Sequence, residues 1–580
     1  MFANQYSPKP KYFKNHTTSV PLYGKQLFMM LQKINLSLIF SLVVLTLTAQ
    51  KKKNTIMQNP YPTQPKLVVG IVVDQMRYDF LYRYYDKYSL GGFKRLMNEG
   101  FNCRNHHYDY APTVTAAGHA AIFTGSIPAI DGIVGNEWFN QKTGKTVYCV
   151  EDTSVSTVGA STKAGLMSPK NLLVSTITDQ LKIANNFQSK TIGIALKDRG
   201  AILPAGHTAN AAYWFDSKDG SWITSSFYMK DLPQWVKDFN AAKMPKKYML
   251  EGWKTLYPIE QYTESTADSQ VYEGKLAGEK ASVFPHELAA QAGVNLLEVI
   301  RTTPFGNTLT KDFALAAIKN ENLGKSAKTD FLTVSFSSPD YVGHAFGPNS
   351  IEIEDTYLRL DRDIAEILQN LDATLGKDNY LVFLSADHGV ADVPSFWQSQ
   401  RLPAGTFNRV TALAEVKNDL KTAFGDGEFI RAEDNYQLYL NHQLLRDKKL
   451  TVAQVHAIIR ETLLKREDVA DVIDLHNLST STLPDYQLKY VKNGLNPRRS
   501  GDIMMVLNPS WFMGGKTGTT HGTLYRYDTH VPLLFYGWRV KNGETTLRTN
   551  ISDISPTVAD FLSILEPNGS IGNVIQGVKK

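Results

Sequence analysis

The sequence predicts an α/β protein whose central, largely parallel sheet is flanked by helices on both faces. Three observations carry that expectation. First, LVVGIVV (just before Asp74), KTIGIALK at 190–197, FLTVSF at 331–336 and YLVFLSA at 380–386 are near-continuous apolar runs of strand length, rich in β-branched residues. Such runs suit strands covered on both faces. Second, stretches with helical periodicity separate them: LGGFKRLMNEG at 90–100, SPKNLLVSTITDQLKIAN at 168–185 and IEDTYLRLDRDIAEILQNL at 353–371. Third, Asp74, Lys197, Asp340 and Asp387 fall at or just past the ends of the apolar runs, where sites gather in sheets of this kind.

The chain opens on a segment that stands apart from this alternation. From Met30 it reads MLQKINLSLIFSLVVLTLTAQ, with one lysine, an apolar core of roughly a dozen residues, then Thr48 and Ala49 before a polar turn. Residues 1–49 are therefore expected to be a signal peptide region, with Met30 the real start. The rival reading, an uncleaved anchor, needs a longer apolar core. No cysteine follows that core, which argues against a lipoprotein. Residues 50–65 read as a polar, proline-bearing linker, and 66–580 as the catalytic domain.

Charge excludes one class of partner. The net charge of +6 comes from 62 basic and 56 acidic residues, and the first 49 residues hold five of the lysines and no acid. Without them, 57 basic residues (62 less five) face 56 acidic ones. No polybasic footprint for nucleic acid remains. Cys103 and Cys149 are the two cysteines. An exported chain could join them, but neither lies in a thiolate zinc pattern. Residues 205–290, rich in Trp and Tyr, and 426–502 break the βα alternation and read as insertions that crown the site.

The residues with chemistry come in five separated segments. Asp74 ends the first apolar run; Asp340 and His344 are spaced i, i+4, so one helical turn presents both on one face. Asp387 and His388 are adjacent after another run, and His521 sits in GTTHGT. Three carboxylates and three imidazoles are a nitrogen and oxygen set suited to zinc, and too many for one tetrahedral ion. Two Zn2+ with three protein ligands each fit the count. Any one such Asp alone would read as a helix cap.

In APTVTAAGHA, Pro112 closes an extended segment and a helix can begin near Thr115. Free N–H groups there favour an alkoxide and a phosphate, so Thr115 is the candidate nucleophile and Thr113 its rival. In ALKDRGA, Lys197 and Arg199 are two apart, and in extended backbone they would project together as a clamp for a dianionic phosphoryl group. Asn136, in GNEW, would add a neutral donor.

VDQMR, PTVTAAGHA, GNEW, LKDRGA, SSPDYVGHAFGP, SADHG and GTTHG, in this order from Lys66 to about Pro556, resemble the alkaline phosphatase superfamily. Within it the chain looks like the calcium-independent, threonine-nucleophile bacterial phosphomonoesterases of the PafA type. The resemblance implies an alkaline-phosphatase-like fold and divides the ligands. Asp340, His344 and His521 would hold one zinc, and Asp74, Asp387, His388 and Thr115 the other. It assigns Asn136, Lys197 and Arg199 to the non-bridging phosphoryl oxygens. Sulfatases need a modified Cys or Ser in a C/S-x-P-x-R context, absent around Thr115. The nucleotide pyrophosphatase and phosphodiesterase branch shares the zinc ligands, Thr and Asn but lacks the Lys-x-Arg pair.

The expectation is an exported, periplasmic or secreted phosphomonoesterase of broad specificity for small phosphate monoesters. It would have no membrane anchor after signal removal, and be a monomer or weak oligomer. The alternatives are a phosphodiesterase of the same superfamily and a non-catalytic phosphate-binding protein. His119 and His530 are expected to play structural roles.

Overall fold

The computed structural model describes residues 63–288 and 295–580, all within one compact unit. The expected signal region and most of the linker lie outside the described residues. Ten strands make the main sheet: β1 (Leu67–Val73), β2 (Phe101–Cys103), β3 (Thr157–Val158), β4 (Thr191–Ala195), β5 (Ala211–Asp216), β6 (Ser221–Ser225), β7 (Asp330–Phe336), β8 (Tyr380–Ser385), β9 (Leu533–Gly537) and β10 (Gly543–Thr545). Their spatial order is β10-β2-β9-β8-β1-β7-β4-β5-β6-β3. The central five, β8 to β5, run parallel, with Leu67 opposite both Asp330 and Tyr380. Antiparallel β9 and β6 flank this core.

Every residue of β1, β4, β7 and β8 is buried. Burying each Val, Ile or Leu contributes about 1.5–3 kcal/mol, and runs apolar throughout gain on both faces. Five helices matter for the site: α1 (Thr115–Thr124), α2 (Asp198–Ala205), α3 (Phe305–Asn320), α4 (Ser338–Phe346) and α5 (Ile351–Leu375). The pleat shows that both faces are covered. Gly193 of β4 lies against Ala201 and Ala205 of α2, while Tyr213, opposite the next residue Ile194, packs edge-on against Phe313 of α3.

Two boundaries differ from the sequence reading. The helix expected over 168–185 spans only Ile177–Ala184, because Thr176 and Asp179 form a capping box and start it there. Residues 205–290 are not wholly an insertion, since β5 and β6 continue the main sheet. The later part of that segment is irregular and held by aromatics: Trp253 is buried and donates to Asp355 Oδ2 of α5 at 2.7 Å.

The second lobe also starts before residue 426. Helices Arg409–Phe424 and Val452–Leu463 accompany a four-stranded sheet ordered 430–434, 437–440, 503–507, 469–474, with a core of their own. Among the described residues, no helix is long and apolar enough to cross a membrane. Cys103 and Cys149 are both free and buried; burial pushes the Cys103 thiol up to about 12.

Candidate metal centre

Four of the five central strands deliver a polar residue to the cluster at their carboxyl ends. Asp74 follows β1 directly, Lys197 is the N-cap of α2 after β4, Asp340 lies in the first turn of α4 after β7, and Asp387 and His388 follow β8. With Thr115, at the first position of α1, all six are 4% exposed or less. His344 stands one turn after Asp340, its Nε2 3.1 Å from Asp340 Oδ1. His521 arrives from a distant loop, its Nε2 3.5 Å from that same oxygen. His388 Nε2 is 3.5 Å from Asp74 Oδ1 and 3.6 Å from Asp387 Oδ2, and its ring stacks on that of His521 at 3.5 Å.

The imidazoles are oriented from behind. His344 Nδ1 donates to Thr519 O at 2.8 Å, His388 Nδ1 to Gly389 O at 2.9 Å and His521 Nδ1 to Thr113 O at 2.8 Å. A carbonyl only accepts, so a ring proton sits on each Nδ1 and each Nε2 faces the carboxylates. That is the tether found behind metal-ligating histidines. Asp74 Oδ1, Asp387 Oδ2 and His388 Nε2 are buried with no hydrogen-bond partner. Orphaned acceptors of this kind, converging in one place, fit a cation.

Electrostatics point the same way. Three buried carboxylates, Asp74, Asp340 and Asp387, face one ammonium. Lys197 Nζ donates to Asp74 Oδ2 at 2.7 Å and to Asp340 Oδ2 at 2.6 Å. Burial disfavours the ammonium, but Asp340 and Asp74 outweigh it and hold its pKa up. Burial, with Asp387 close by, pushes Asp74 well above the usual carboxylate range. Burial works against the Asp340 carboxylate too, yet His344 and Lys197 hold it well below that range. Burial lowers His388, and lowers His521 further with His388 beside it. One lysine cannot neutralise three buried carboxylates, and divalent cations can.

Asp340, His344 and His521 offer ligand atoms within 4.8 Å of one another, and so do Asp74, Asp340 and His388. The first group is the triad expected. The second has Asp340 where Asp387 was expected, while Asp387 keeps an unpartnered Oδ2 3.6 Å from His388 Nε2.

Thr115 Oγ1 lies 3.5 Å from Lys197 Nζ. The rival hydroxyl, Thr113 Oγ1, donates to Thr523 O at 2.8 Å and is turned away. Asn136 accepts from the Ala116 N–H at 2.9 Å, which leaves its amide nitrogen as the donor. It lines a cavity of about 440 Å³ together with His344, His521, Phe139 and Tyr436.

Arg199 departs from expectation. The backbone turns helical at Asp198, so Lys197 and Arg199 do not share an extended strand. The Arg199 guanidinium donates to Tyr148 Oη at 3.0 Å instead of joining the carboxylates. It still lines one cavity of about 410 Å³ with Lys197.

Sequence reasoning missed Gln75 and expected only a structural role for His119. His119 Nδ1 lies 2.8 Å from Thr115 O and 3.3 Å from Asp387 Oδ2, and its Nε2 lies 2.7 Å from Ser335 Oγ on β7. A polar residue directly after a strand-end Asp was the available signal for Gln75. For His119 it was the i+4 spacing from Thr115.

A sheet with a metal-type cluster at its carboxyl edge, beside a hydroxyl at a helix start, defines a hydrolase of phosphate esters. Residues 68–531 match the model of the type I phosphodiesterase / nucleotide pyrophosphatase family, and the chain belongs to that family. It is an alkaline phosphatase within it. The chain is 48% identical to alkaline phosphatase PafA of Elizabethkingia meningoseptica over 89% of its own length and 94% of that protein's. The crystal structure of wild-type PafA superposes with a TM-score of 0.86, covering 90% of this chain and all of that one. A Myroides odoratus protein named a calcium-transporting ATPase is 53% identical over 88% of this chain and 94% of its own.

Proposed function

We propose that this phosphatase is an exported, zinc-dependent phosphomonoesterase of broad specificity, periplasmic or secreted, that works through a phosphothreonine on Thr115. The observation that carries the reading is the placement of the Thr115 hydroxyl. It is buried at the start of α1, 3.5 Å from Lys197 Nζ, beside carboxylates and three imidazoles whose Nε2 atoms face them.

Asp340, His344 and His521 would hold one zinc, and Asp74, Asp387 and His388 with Thr115 the other. When bound, the ions supply charge for the developing oxyanions and lower the pKa of a hydroxyl at the site. The chain's own residues do the rest. Thr115 Oγ1 forms a bond to phosphorus in line as the ester oxygen leaves. Water then attacks the phosphothreonine, restoring the hydroxyl and releasing inorganic phosphate. Lys197 competes with cations for Asp74 and Asp340. Released from them, its ammonium stands beside Thr115 to take a phosphoryl oxygen. Asn136 and Arg199 would bind the others.

The substrates are small phosphate monoesters, whose alcohol part has room in the cavity bounded by Phe139 and Tyr436. The chain would act as a monomer or weak oligomer. The test is kcat/KM of the zinc-loaded mature chain on matched aryl phosphate monoester and diester substrates. A strong monoester preference is expected; a diester preference would keep the site and move the activity to diesters. Thr115→Ala is expected to end covalent labelling by phosphate, and a label retained elsewhere would overturn the nucleophile.

A further inference from the structure

Gln75 follows Asp74 and is 2% exposed. Its backbone has φ of +66°, the left-handed region that non-glycine residues rarely occupy. That turn lets one residue reach two carboxylates. Its N–H donates to Asp387 Oδ1 at 3.1 Å, and its Nε2 donates to Asp340 Oδ1 at 2.7 Å. The second oxygen is the one facing His344 and His521 at 3.1 and 3.5 Å. The amide is confined from the other side as well: a Cβ at Gly343 of α4 would sit 1.9 Å from Gln75 Oε1, so a side chain there would have to displace it.

We infer that Gln75 is a positioning residue for both cation positions, its main chain fixing Asp387 and its side-chain amide fixing Asp340. It thereby sets the separation of two carboxylates that come from different elements, the loop after β8 and helix α4. This rests on the metal-centre reading of the cluster. Partners behind metal ligands cost about 10–100-fold in affinity when removed, and the same range is expected here.

Gln75→Gly keeps the N–H to Asp387, suits the backbone angle and removes the whole side chain, amide included. Gln75→Met keeps the volume and removes the donor. Zinc stoichiometry and dissociation constants, from chelator competition on the full mature chain, are the readout, with the Tm of the metal-free protein beside them. Expected for Gln75→Gly is a metal-free protein that still unfolds cooperatively, with zinc held about 10–100-fold more weakly by the group of Asp340, His344 and His521. Gln75→Met should lose affinity equally, and excess zinc should restore much of the kcat/KM of both variants. Wild-type affinity in either variant would overturn the inference alone. A wild-type chain that binds no divalent cation would overturn the metal-centre reading and this inference with it.

Discussion

Lys197 is the residue whose partners say most about the cluster. Its ammonium is buried between Asp74 and Asp340 and neutralises part of a charge that cations would otherwise balance. Lys197→Ala should therefore lower the Tm of the metal-free protein more than that of the zinc-loaded protein; thermal scans with and without chelator compare the two. The same variant should lose about 10–100-fold in kcat/KM on monoesters, the worth of one charged hydrogen bond, and less on diesters, which carry one negative charge fewer. Equal losses on both would argue against the clamp. Asp74, Asp340, Asp387 and His388 were legible as candidates because each ends or follows an apolar run. The Lys197 contacts were not: they join residues 123 and 143 positions apart, and depend on the register of β4, β7 and β1. Arg199 was misplaced for a local reason, since the helix begins one residue after Lys197 and removes the extended geometry assumed for the pair.

Helix α1 must approach the loop after β8 closely to bring Thr115 to the carboxylates. A Cβ at Gly118 would lie 2.1 Å from Asp387 O, so Gly118→Ala should push α1 away. Activity should fall at least tenfold while far-UV circular dichroism stays near native; an active Gly118→Ala variant would contradict this packing.

The irregular segment before α5 carries a pH dependence of its own. Burial works against a charged His286, but its hydrogen bond to Glu279 and the Glu352 carboxylate 3.4 Å from its Nε2 outweigh it and raise its pKa from 6.5 to about 9. A raised folded pKa stabilises fully below the unfolded value of 6.5 and loses that contribution as pH rises through about 9. A shift of that size is worth on the order of 3 kcal/mol. The Tm of metal-free His286→Gln should lie below wild type at pH 6, and the gap should close by pH 10, measured by calorimetry. Glu273, raised by burial and by Glu352 from 4.5 to about 9, adds a decline that starts lower, from its unfolded value of 4.5, and ends near 9. Elements with a clean period were legible here, such as α5; the start of the helix at Ile177 was written in Thr176 and Asp179 but hidden by the apolar residues before it.

At the scale of the molecule, the parallel core and the location of the site at its carboxyl edge follow from the continuous apolar runs, and both were legible. What the crowning segments contribute was not, because β5 and β6 join the main sheet through pairing that local composition does not encode. Zinc that binds only the folded chain should raise the Tm by several degrees and make it depend on zinc concentration, as ligand linkage requires; an unchanged Tm in zinc and chelator would count against the centre.

The ligand residues run from Asp74 to His521, and His521 is held by the carbonyl of Thr113, some four hundred residues earlier. Antiparallel β9, at 533–537, closes on β8 only after that. A growing chain therefore carries the carboxylates long before it has the last imidazole or the strand that seals the sheet. On the proposed centre, a truncated copy would keep the acids and His388 but lack the imidazole that completes the group of Asp340 and His344.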